Sequence, residues 1–255
     1  MSTPLKTQLN TAEAERYSRQ IKLGDIGYDG QLKLTQSHAV IVGLGGLGSP
    51  ASLYLASAGV GKLTLVDFDE VDDSNLQRQI VHREANIGQL KVQSAKQNLS
   101  ALNQHISIET IDQRLDTAQL NALIRQADVV LDCTDNFAIR FALNRACYAA
   151  KKPLISGAAL RMEGQLATYD FRIANSPCYQ CLYKDENAQE LNCGMNGVLS
   201  PVVGMIGSMQ AIEAIKALLS LPTLTGKLMM IDAYTMQIRT LNLKKDQNCA
   251  HCGNA

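Results

Sequence analysis

The 255-residue sequence predicts an α/β fold, a Rossmann-like and mostly parallel sheet with helices on both faces, extended at one edge by antiparallel strands. Three observations predict it. From residue 38 to 156, short β-rich runs alternate with helical stretches, the rhythm of a parallel sheet wrapped on both sides. Gly43-x-Gly45-x-x-Gly48 falls between a strand pattern and a helix pattern. Beyond Gly157 the alternation gives way to strand runs joined by turns, with one convincing helix among them.

Asn10 followed by Glu13 forms a capping-box pattern, so Thr11 to Lys22 reads as a short helix carrying Arg16 and Arg19. Gly24, Gly27 and Gly30 then punctuate the chain. His38–Val42 reads as a strand, Ser49–Ala58 as a helix and Lys62–Asp67 as the next strand. A helix over 89–102, a strand over 106–111, a helix over 117–127 capped by Asp116 and a strand over 129–132 continue the series. A helix over 137–149 and a strand over 153–156 complete it. Strands over 165–171, 228–233 and 236–243 and a helix over 202–220 make up the remainder. Gly204, Ser208 and Ala211 let a backbone approach that helix closely, for core packing or for a subunit interface. No linker separates the halves, so the chain reads as one domain over 1–255, with a nucleotide-binding half over 33–157 and a second half over 158–255.

An apolar fraction of 46% supports a sizeable core. Lys plus Arg equal Asp plus Glu at 24 each, which recommends neither nucleic acid nor an anionic membrane as partner. The most apolar stretch, 198–221, is interrupted by Pro201, Gln210, Glu213 and Lys216 and reads as a buried helix rather than a span. The polar N-terminus lacks a secretory pattern, so a cytoplasmic protein is expected.

Cys178-x-x-Cys181 and Cys249-x-x-Cys252 are two metal-type pairs far apart in sequence. Four thiolates would close a tetrahedral zinc shell with no open position for substrate, so the expected role is structural, with a redox pair as the alternative. Cys133, Cys147 and Cys193 remain unpaired, and the first two fall in or beside apolar elements.

The glycines let backbone approach a phosphate, the following helix offers its N-terminal amides, and Asp67 at the end of the next strand is placed for ribose hydroxyls. On those residues alone NAD, and hence an oxidoreductase, is the default. Arg78 and Lys91 change the reading, because they follow the second strand where they could reach phosphates and a nicotinamide needs no such cations. Asp135 in Asp132-Cys-Thr-Asp135-Asn136, at a strand's carboxyl end, suits magnesium, although Asp-Asn there also makes an ordinary helix cap.

Arg16-Tyr-Ser-Arg19, Gly43-Leu-Gly45-Gly46-Leu-Gly48, Asp67-Phe-Asp69, Ser74-Asn75-Leu76-Gln77-Arg78-Gln79, Gly88-Gln-Leu-Lys91, Asp132 to Asn136 and both cysteine pairs occur in one order. In that set the chain resembles the ThiF/MoeB/HesA family of adenylyltransferases, which activate ubiquitin-like sulfur carriers, over nearly its whole length. The segments 56–61 and 156–165 look most similar to the molybdenum-cofactor branch, with the thiamine-pathway branch as rival. The resemblance implies ATP and magnesium, with the carrier's C-terminal Gly-Gly carboxylate attacking the α-phosphorus to give an acyl adenylate and pyrophosphate.

It also implies roles residue by residue. Arg78 and Lys91 contact phosphates, Asp135 binds magnesium and Asp67 holds the ribose. Asn75 and Gln79 orient the nucleotide, with Asp69, Ser74, Leu76, Gln77 and Asn136 around it. Arg19 reaches into a partner subunit's site, so a homodimer is expected, and a heterotetramer once two carriers bind the half over 158–255. Cys193 aligns with a cysteine that some relatives use in covalent transfer, and the chain's end three residues after Cys252 implies a separate sulfur donor.

Overall fold

The computed structural model describes residues 6–184 and 197–253. Eight strands form one sheet in the order β3-β2-β1-β4-β5-β6-β7-β8. They are β1 (His38–Val42), β2 (Lys62–Val66), β3 (Ser107–Ile111), β4 (Val129–Asp132), β5 (Pro153–Leu160), β6 (Glu163–Asp170), β7 (Lys227–Asp232) and β8 (Gln237–Asn242). The first five pair in parallel, β1 between β2 and β4, and β5 through β8 pair antiparallel. The chain therefore reverses direction along the sheet between β1 and β4, the crevice where open α/β sheets take their ligands.

The helices are α1 (Thr11–Arg16), α2 (Ser18–Ile21), α3 (Gly27–Gln36), α4 (Gly48–Ala58), α5 (Lys91–Leu102), α6 (Thr117–Gln126), α7 (Phe137–Ala150), α8 (Tyr179–Leu182) and α9 (Ser200–Leu219). Successive strand residues point to opposite faces, and the core divides accordingly. Ala39, Ile41, Leu63, Leu65, Leu131 and Ile155 pack with Leu34, Leu55, Val92 and Ala211 from α3, α4, α5 and α9. Val40, Val42, Val130, Leu154 and Tyr169 pack with Ile124, Phe141 and Tyr179 from α6, α7 and α8, together with Cys178, Cys249 and Cys252.

The elements expected from the sequence fall within a few residues of these bounds, with two exceptions. The N-terminal helix breaks at Tyr17 into α1 and α2, although the Asn10–Glu13 capping box forms in both directions. The segment expected as glycine-punctuated chain contains α3, whose Leu34 and Gln31 are buried. Gly30 sits against Leu219 of α9, so packing there outweighs the low helix propensity of glycine.

By length and composition α9 is apolar enough to cross a membrane, yet it is a core helix. Its Gln210 and Glu213 are buried and satisfied. Gln210 donates to the carbonyls of Asp132 and Ile155 at 2.7 and 3.2 Å, and Glu213 accepts from Thr168 and from the Leu224 amide. The close approach on this helix is at Gly207, where a Cβ would lie 2.2 Å from the Leu47 carbonyl of the glycine loop. Ala211 is buried in the core, while among the described residues nothing lies within 4 Å of a Cβ placed on Gly204.

Candidate nucleotide site and zinc clasp

The glycine loop is held from three sides. Gly43 has φ of 90°, a conformation that L side chains rarely adopt, and a Cβ there would meet the Cys133 carbonyl at 2.7 Å. A Cβ on Gly48, first residue of α4, would lie 1.9 Å from the Gly43 carbonyl. One on Gly46 would meet Val203 of α9 at 2.8 Å. Gly45 differs, because its nearest such neighbour is Gln79 Nε2 at 3.8 Å. Gly43, Gly46 and Gly48 therefore close the loop on β4, α9 and itself, and Gly45 leaves room above it.

Asp67 ties the loop to β2. One carboxylate oxygen accepts the Leu44 amide at 2.7 Å and the other the Asp69 amide at 2.9 Å. Burial pushes its pKa up, opposed by those amides and by Lys91. Each oxygen keeps lone-pair capacity for a further hydrogen bond. Lys91 begins α5 and is buried, and its Nζ lies 3.0 Å from the exposed carboxylate of Asp69. A buried ammonium needs an anionic partner, and Asp69 fills that role here.

The segment after β2 supplies the remaining polar groups. Gln79 is buried with its Nε2 nearest Gly45, and among the described residues its Oε1 has no hydrogen-bond partner. Arg78 is half-buried and donates to the Ser74 carbonyl at 3.1 Å. Ser74 donates to Asp72, and Gln77 accepts from Ser200 at the start of α9, so these two side chains brace the segment. Asn75 and Leu76 are half-buried beside them.

On the far side of the loop, Asp135 stands exposed between β4 and α7. Asn136 caps α7, its Oδ1 accepting the Ile139 amide at 2.9 Å. Asp132 is buried and structural. It accepts from the Thr134 amide at 3.1 Å, the Thr134 hydroxyl at 2.8 Å and the Ser156 hydroxyl at 2.9 Å. Arg19 is exposed on α2. Cys193 lies outside the described residues. Cys133 and Cys147 are buried, and burial raises both thiol pKa values, which leaves them unreactive.

Two supporting residues emerge only from the fold. His82 is buried, with Nδ1 2.8 Å from Ser94 Oγ and Nε2 3.3 Å from the Leu44 carbonyl. A carbonyl only accepts, so Nε2 carries the proton and Nδ1 accepts from serine. Burial lowers the His82 pKa to about 4, which keeps the ring neutral. Arg140, one helical turn beyond Asn136, donates to the carbonyls of Thr134 and Gly157 and lies 3.8 Å from Asp132. It fastens the turn that carries Asp135. Its spacing of four from Asn136 was the available signal in the sequence, whereas His82 had none.

The two cysteine pairs come together on the opposite core face, with all four Sγ atoms within 4.8 Å of one another. Sulfur separations are 3.7 Å for Cys178–Cys249, 3.9 Å for Cys178–Cys181 and 3.4 Å for Cys181–Cys252. Zinc–sulfur bonds of about 2.3 Å in a tetrahedron require edges of about 3.8 Å, so the donor set fits zinc. The amides of Cys178 and Asp246 each point at Cys181 Sγ at 3.4 Å. Burial and the adjacent sulfurs push Cys178 up to about 11, so a cation is what makes the thiolate set favourable. Zinc here would join the segment before α8 to the C-terminal tail.

The model of the ThiF family matches residues 17–251. The molybdopterin-synthase adenylyltransferase of Escherichia coli strain K12 is 50% identical over 96% of this chain and 99% of its own length. That of Haemophilus influenzae strain Rd is 51% identical over 92% of this chain and 97% of its own. Among solved structures, E. coli MccB with MccA-N7isoAsn superposes with a TM-score of 0.81 at 25% identity, covering 93% of this chain and 75% of that one. With a family model spanning nearly the whole sequence and curated relatives matching at half of all positions, the chain belongs to the ThiF family.

Proposed function

We propose that this chain is an ATP-dependent adenylyltransferase acting on the C-terminal carboxylate of the molybdopterin-synthase small subunit, in molybdenum cofactor biosynthesis. The observation that carries the reading is one connected constellation at the sheet crevice. The glycine loop is bonded to Asp67, Asp69 holds buried Lys91, and buried Gln79 sets its Nε2 nearest Gly45 while its Oε1 is unpaired among the described residues. The near-half identity to two molybdopterin-synthase adenylyltransferases supports the same reaction here. The glycines and Asp67 alone would also suit a redox dinucleotide, whose nicotinamide needs no cations such as Arg78 and Lys91.

A C-terminal carboxylate with an ordinary pKa of about 3.5 is already ionised at neutral pH. Little proton transfer is needed, and the demand is for positioning and for cancelling charge between anions. Gly45 admits the phosphates, and the α4 N-terminus faces them. Lys91 and Arg78 neutralise the triphosphate and the departing pyrophosphate. Lys91 is held ready by Asp69, and Asp67 accepts the ribose hydroxyls. Magnesium on Asp135 would add charge neutralisation at the phosphates.

The carrier docks on the half over 158–255. β8 is exposed along its whole length, and Met230, Tyr234, Met236, Ile238 and Leu241 present apolar surface there. The working unit is a cytoplasmic homodimer in which Arg19 completes the partner's site, and two carriers make it a heterotetramer. Sulfur comes from a separate donor after adenylylation. Incubating the protein with ATP, magnesium and either the molybdopterin or the thiamine carrier tests the assignment. Acyl adenylate on the molybdopterin carrier is expected by mass, and adenylate on the thiamine carrier alone would move the chain to the other branch.

A further inference from the structure

Asp67 and Asp69 flank Phe68, whose ring is partly exposed at the carboxyl end of β2. The Arg114 guanidinium, from the turn after β3, lies 4.4 Å from that ring's centroid. Arg114 is exposed. In sheet order the glycine loop ends β1, Asp67 follows β2, and Arg114 follows β3, the next strand outward. A nucleotide with phosphates on the glycines and ribose on Asp67 runs from β1 toward β2. Its base then falls at the Phe68–Arg114 pair.

We propose that Arg114, oriented by Phe68, is a specificity-determining residue for the nucleotide, its guanidinium plane forming the platform on which the purine stacks. The inference rests on the ATP-binding reading above. A guanidinium is planar, weakly hydrated and cationic, and it stacks on π faces in a way that an ammonium does not. Phe68 fixes one face of the cation, so little orientational freedom remains to be lost when a base covers the other. The larger purine ring covers more of the plane than a pyrimidine does. Stacking reads no hydrogen-bond pattern, so the platform selects for ring size and leaves other contacts to distinguish adenine from guanine.

Calorimetric titration with magnesium ATP, magnesium CTP and inorganic tripolyphosphate tests this on the wild type, Arg114→Ala, Arg114→Lys and Phe68→Leu. Both side chains are at the surface, and each variant's thermal midpoint is recorded to confirm an intact fold. Arg114→Ala is expected to weaken ATP about fivefold, CTP less, and tripolyphosphate not at all. Arg114→Lys keeps the charge and loses most of the purine preference, and Phe68→Leu gives an intermediate loss. Equal weakening of ATP and tripolyphosphate would show a charge acting on phosphate and overturn the proposal, as would unchanged ATP affinity in Arg114→Ala. A wild type that binds ATP no better than tripolyphosphate would instead overturn the nucleotide reading itself.

Discussion

Gly45 and Gly48 belong to one sequence motif, yet the structure assigns them different work, and alanine at each separates the two. At position 48 the new Cβ would start 1.9 Å from the Gly43 carbonyl, where ordinary contact begins near 3.4 Å, so the loop must open by about 1.5 Å. It has nowhere to go. Gly43 itself lies against the Cys133 carbonyl, and its amide is bonded to Val66 at 2.8 Å. Overpacking against backbone belongs at the upper end of its usual range, so Gly48→Ala is expected to destabilise by about 3 kcal/mol. At position 45 the Cβ meets only Gln79 Nε2 at 3.8 Å, and the backbone is outside the left-handed region. Gly45→Ala should therefore change stability by less than about 0.5 kcal/mol. Its methyl enters the space left for phosphate, and ATP affinity should fall at least tenfold, about 1.4 kcal/mol. Urea unfolding and calorimetric titration of both variants read the two effects. A Gly45→Ala protein that binds ATP like the wild type would refute the phosphate cradle.

Other perturbations probe the supports of the site. Chelating zinc, or replacing Cys252 with Ser, should raise protease sensitivity of the 178–253 region before it changes ATP affinity; catalysis lost with fold and binding intact would contradict a structural clasp. His82 titrates near 6.5 when unfolded and near 4 when folded, so its contribution is complete above 6.5 and falls as pH drops through that window. Stability measured from pH 6.5 to 4 should fall more steeply for the wild type than for His82→Gln, by up to about 1 kcal/mol per pH unit; parallel curves would remove His82 from the account. Mixing Arg19→Ala with Lys91→Ala chains should restore one intact site per mixed dimer, and mixtures as inactive as each parent would rule out a shared site.

The strands and the glycine loop were legible because they depend on local patterns: β-rich runs, glycines after a strand, an acid after the next. The four-cysteine clasp was legible because metal spacing is short-range within each pair, even though only the fold brings Cys178 beside Cys249. α3 was hidden by its glycines, which matter little once Gly30 is packed against α9. Asn136 held two readings in the sequence, nucleotide contact and helix cap, and its Oδ1 caps α7. His82 and Gln210 act across large sequence separations. Their partners, the carbonyls of Leu44, Asp132 and Ile155, carry no side-chain signature.

The central claim is that the crevice joins ATP to a carrier's C-terminal carboxylate. ATP–pyrophosphate exchange, measured with the intact molybdopterin carrier and with the same carrier lacking its terminal Gly-Gly, tests it most directly. The account predicts exchange with the intact carrier and none above background with the truncated one. Exchange that persists unchanged after truncation would contradict it.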